Sequence, residues 1–95
     1  MYSLKRYVNA EWITYGPYSC RFVPITGQDR MGLPGHLIDA DDRIFFPLYA
    51  PVTQNDIARR IETNQTWTIL FAVPLDGQLE VWAKRSVMPA AGTKG

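Results

Sequence analysis

The stretch TQNDIARRIETNQTWT, residues 53–68, decides how this chain of 95 residues is read. Thr53 carries the side-chain oxygen of a helix N-cap, and Asp56 three residues on completes a capping-box-like pair. Val52 can staple against Ile57 across the first turn. Ile57, Ala58 and Ile61 then share one stripe at helical spacing, while Arg59, Arg60 and Glu62 fall on the solvent side. The pattern predicts one helix over residues 54–63.

The residues beyond that helix separate two functional classes. TQNDIARRI resembles the first helix of a helix-turn-helix DNA reader, with Ala58 at the close-packed position and both arginines exposed. The second half of such a motif needs a turn, often with glycine, and a polar recognition helix. Here Glu62 stands at the turn, and TWTILFAV, residues 66–73, is β-branched and aromatic and is closed by Pro74. That composition belongs to a strand, and it offers bases little hydrogen-bonding capacity.

TWTILFAV and QLEVWAKR, residues 78–85, flank Asp76-Gly77, the strongest hairpin signal in the chain. Pairing Leu75 with Gln78 collects Leu70, Ala72, Pro74, Leu79, Val81 and Ala83 on one face. The other face then carries Trp67, Ile69, Phe71, Val73 and Trp82, relieved by Glu80 and Lys84. Two apolar faces on one hairpin exceed what a soluble monomer leaves exposed, so either the sheet wraps over them or a second copy covers them. The second expectation makes Trp67, Phe71 and Trp82 partner-binding residues of a homodimer, or of a complex with another protein.

Upstream, EWITYGPYSCRFV, residues 11–23, reads as a hairpin turning at Gly16-Pro17. Its inner face would hold Ile13, Tyr15, Tyr18, Cys20 and Phe22. Its outer face would set Trp12 opposite Arg21, a cation–π pair that joins the partner-binding set. YSLKRYV at 2–8 and IFFPLYA at 44–50 complete the strands, with Pro47 requiring an edge, a bulge or a strand end. The expected fold is α+β: an antiparallel sheet of about five strands, curled toward a barrel, with one inserted helix.

Residues 25–43 hold three glycines, a proline and four aspartates without a period, and read as a long loop. His36, Asp39, Asp41 and Asp42 lack the spacing of an EF-hand or a zinc cage, so the expectation is a solvated acidic turn and no bound metal. Cys20, His36 and Asp39 contain the residue types of a thiol triad, but Cys20 falls on a core face, where a thiol is inert. Neither a CxxC nor an HExxH motif nor a glycine-rich phosphate loop occurs, and no cofactor is expected.

Length and aromatic content fit one folded domain, placed at residues 1–87, with a flexible tail at 88–95. A single cysteine excludes an intramolecular disulfide, and no apolar run reaches the length of a signal peptide's core or a membrane helix; the expected location is cytoplasmic. A net charge of +1 argues against a protein built to neutralise phosphates. Three basic pairs nevertheless punctuate the strands: Lys5-Arg6, Arg59-Arg60 and Lys84-Arg85. The function expected from the residues is a small non-enzymatic binding or assembly module that self-associates through protein–protein contacts. The alternative is a nucleic-acid-binding accessory protein gripping through Arg59, Arg60, Lys84 and Arg85. A third reading is a small enzyme or ligand carrier using the 25–43 loop as a lid.

Overall fold

The computed structural model describes residues 1–27, 32, 35 and 39–86. They form seven strands: β1 (Tyr2–Val8), β2 (Glu11–Tyr18), β3 (Arg21–Pro24), β4 (Asp42–Pro47), β5 (Ile57–Arg60), β6 (Thr66–Leu75) and β7 (Gln78–Arg85). All pair antiparallel in one sheet of order β2-β1-β5-β6-β7-β4-β3. The fold is therefore all-β. It is not α+β, it has more than the expected five strands, and no helix occupies residues 54–63.

The reason lies in residues 53–60. Half of the anticipated capping box is present: the Thr53 amide donates to Asp56 Oδ2 at 2.9 Å and its hydroxyl to Oδ1 at 3.1 Å. The chain then departs from helix because Asn55 takes a φ of 73°, in the left-handed region. Asp56 is 2% exposed and receives Arg6 of β1 as a bidentate partner, Nε to Oδ1 and Nη2 to Oδ2, both at 2.9 Å. Arg6 also donates to the Pro51 carbonyl. This clamp fixes a turn, and the next four residues fill the slot between β1 and β6. There Ala58 pairs with Leu4 on one side and Trp67 on the other. A four-residue strand with ladders on both edges satisfies backbone groups that a helix would leave open on β1 and β6, and tertiary pairing overrides the helical spacing.

The closing hairpin has the expected register, Leu75 opposite Gln78, with Asp76 and Gly77 at φ 51° and 81° as a two-residue primed turn requires. The first hairpin does not. Its turn is Asn9-Ala10, φ 51° and 66°, joining β1 to β2, while Gly16-Pro17 lies inside β2. There Gly16 has a φ of 109°, and a Cβ on it would approach the Tyr18 ring and the Tyr2 carbonyl to 3.2 Å. Pro17 is tolerated because β2 is an edge strand.

The sheet curls strongly. Its two edge strands, β2 and β3, are joined by Ser19 and Cys20 alone, and at about 3.8 Å per residue the two edges must meet at that corner. Tyr2 of β1 and Tyr18 of β2 accordingly reach Phe46 of β4, with ring centroids 6.3 and 6.0 Å apart. Leu4, Ile44, Phe46, Ala58, Ile69, Val81 and Ala83 are fully shielded inside the curl.

A bulge resolves the two-faced hairpin. Ile69 pairs with Ala83 and Phe71 with Trp82, so Leu70 is an extra residue opposite none. Because side chains alternate along a strand, that insertion moves Trp67 and Ile69 to the inner face and leaves Phe71 and Val73 on the outer one. The wrapping alternative thus covers two of the five residues on the expected apolar face.

Candidate interaction face and cleft

On the outside of the curl, register alone assembles a surface from β3, β4, β7 and β6. One cross-sheet row runs Arg21, Phe45, Glu80, Val73, and the next runs Val23, Arg43, Trp82, Phe71. The Arg21 guanidinium stacks 4.1 Å above the Phe45 ring, and that of Arg43 lies 5.5 Å from the Trp82 ring. Arg43 also meets Glu80 at 3.7 Å, and its Nε is buried without a partner. The guanidiniums of the two arginines thus cover the outer sides of the Phe45 and Trp82 rings. Phe71 and Leu75 are 39% and 44% exposed at the border. A hollow of about 260 Å³ opens here between Arg21, Arg43, Leu75 and Glu80.

The five residues expected to bind a partner are divided by the fold. Phe71 and Trp82 share this outer face, and Arg21 joins them from β3. Trp67 is 2% exposed and belongs to the core. Trp12 lies at the other edge of the sheet order, on β2, opposite Tyr7 rather than Arg21, with Lys5 5.9 Å from its ring. The expected Trp12–Arg21 pair is therefore absent, because β2 and β3 continue into each other without pairing.

The basic residues are divided too, by the same alternation. Arg59 and Lys84 point to the outer side, where Arg59 donates to Asn64 Oδ1 at 2.7 Å. Arg60 and Arg85 point inward, to one mouth of the curl. There a cleft of about 370 Å³ is lined by Phe22, Arg60, Thr63, Gln65, Trp67 and Arg85.

Asp42 organises that mouth. It is fully buried, receiving Trp67 Nε1–H at 2.7 Å and Arg85 through Nε at 3.2 Å and Nη2 at 2.8 Å. Its neighbour Asp41 accepts the Arg85 amide at 2.7 Å. These two aspartates are structural acceptors, not the solvated acidic turn expected from the sequence. The signal was legible only in part: alternation from Ile44 backward places Asp42 on the inner face, but nothing in the sequence marks the indole and guanidinium that receive it.

The other candidate residues fall outside both surfaces. His36 lies outside the described residues, as do eight other residues of the 25–43 loop and the tail at 88–95. Among the described residues no group of three or more His, Cys, Asp or Glu is placed to hold a metal, and no helix is long and apolar enough to cross a membrane. Cys20 packs against the core, and burial pushes its thiol up to about 12. No known family model, curated protein or solved structure matches the chain.

Proposed function

We propose that this protein is a small non-enzymatic recognition module that works through protein–protein contacts, first of all with a second copy of itself, using the outer face of β3, β4, β7 and β6. The observation that carries the reading is the pair of cross-sheet rows in which arginines stack on aromatic rings. Trp, Arg and aromatic side chains dominate the energetics of protein interfaces, and guanidiniums already packed over rings lose little freedom when a partner arrives. Two copies of one face can pair about a two-fold axis, the commonest symmetry of small oligomers.

Light scattering at micromolar concentration tests this reading. The expected result is a dimer mass for the natural sequence and a monomer mass for Trp82→Glu, with unchanged far-ultraviolet circular dichroism. A monomer for the natural sequence, or a dimer that survives Trp82→Glu, refutes self-association through this face.

A further inference from the structure

We propose that the cleft at the mouth of the curl binds the phosphate group of a nucleotide, with the nucleotide's planar base against the ring wall. The site is separate from the outer face, and its test does not depend on that reading. Mouths of curled and closed sheets are a preferred place for small ligands, and about 370 Å³ falls within the range of about 300–1,000 Å³ that such sites occupy.

Its chemistry is specific. Two guanidiniums, Arg60 and Arg85, line the same opening. Arg85 is held by Asp42 through Nε and Nη2, which fixes the plane of the group and leaves Nη1 uncommitted to that carboxylate. A cation oriented in advance by a buried acceptor is a better anion ligand than a free side chain, because its rotamers are already restricted. Arg60 is held only loosely: Glu62 stands 3.7 Å from its Nε, and the arginine side chain is 45% exposed. Guanidiniums present paired N–H groups that match phosphate oxygens.

The wall between them is aromatic. Phe22, half-buried, offers the accessible ring of the cleft wall, and the buried Trp67 backs it with ring centroids 5.8 Å apart. Rings beside guanidiniums recognise a flat group joined to a phosphate, and stacking of this kind tolerates any base. Beneath the wall, the Tyr2 hydroxyl is buried without a hydrogen-bond partner, with its ring 5.8 Å from that of Trp67 and about 6.0 Å from the Arg60 guanidinium. Gln65 is anchored through Nε2 to the Thr66 and Ser86 carbonyls, which keeps the rim fixed. The phosphate could be carried by a free mononucleotide or by a single strand, and the chemistry of the site is shared.

Amide and indole signals followed by NMR during titration decide between these outcomes, with deoxythymidine monophosphate, thymidine, inorganic phosphate and a short oligodeoxythymidine as probes. The expected result is saturable shifts centred on Phe22, Gln65, Arg85 and the Trp67 indole with the monophosphate, at least about tenfold weaker for thymidine and for Arg60→Gln. Arg60 is exposed enough that this variant keeps the fold, and Trp82→Glu should leave the titration unchanged. An oligonucleotide binding about tenfold or more tighter than the monophosphate identifies a strand as the source; equal affinity identifies a free nucleotide. Shifts centred elsewhere, none up to about 10 mM, equal binding of thymidine, or no effect of Arg60→Gln would each overturn the proposal.

Discussion

Asp42 and Arg85 form an asymmetric pair, and the asymmetry predicts which partner is costlier to lose. Asp42 is fully shielded, whereas the Arg85 side chain is 50% exposed. Removing the anion, as in Asp42→Asn, leaves a guanidinium that can turn into water, and the new amide oxygen still accepts from Trp67 Nε1. The loss is then one charge-assisted contact that is partly screened, about 1–2 kcal/mol. Removing the cation, as in Arg85→Met, retains the stem but strands a carboxylate with the indole as its remaining side-chain donor. Breaking a buried pair from that side costs about 3–5 kcal/mol. Urea denaturation followed by tryptophan fluorescence measures both variants. At about 4–8 °C per kcal/mol in a domain of this size, melting curves should separate them clearly. Asp42→Asn costing more than Arg85→Met would refute the reasoning, since it would mean that the guanidinium, not the carboxylate, depends on the pair for its solvation.

Two further predictions test the placement of single groups. Asp56→Ala removes the acceptor shared by Arg6 and Thr53; it should cost about 2–4 kcal/mol, with the earliest amide exchange in β5, and a cost below about 0.5 kcal/mol would show that the clamp does not hold the turn. With its thiol pushed up to about 12, Cys20 of the folded protein should be alkylated at pH 8 on the order of a thousandfold more slowly than a free thiol of ordinary acidity, and become reactive on denaturation. Labelling of the native protein at the free-thiol rate would place Cys20 outside the core.

What the sequence determined by itself was local. Asp76-Gly77 demanded two consecutive positive φ angles, and that requirement alone set the Leu75–Gln78 register. Alternation placed β1 at residues 2–8 and the apolar run from Ile44 placed most of β4 in a strand, whereas Cys20 was assigned to the core through a Gly16-Pro17 turn that the fold does not make. Tertiary structure decided everything that depended on a distant partner. Residues 57–60 carry a spacing compatible with a helix, and they became a strand because β1 and β6 each needed a neighbour and Arg6 reached across fifty positions to hold Asp56. Leu70 became a bulge because closing the curl required Trp67 inside and Phe71 outside, a choice that two equally apolar faces could not announce. Asn9-Ala10 rather than Gly16-Pro17 made the first turn, so Arg21 left Trp12 and came to rest on Phe45. A hairpin turn is specified by the φ angles of two adjacent residues, and these can be read from the chain. Pairing, bulges and buried ion pairs are specified by groups that meet only when the sheet curls, so the sequence holds their components without their contacts.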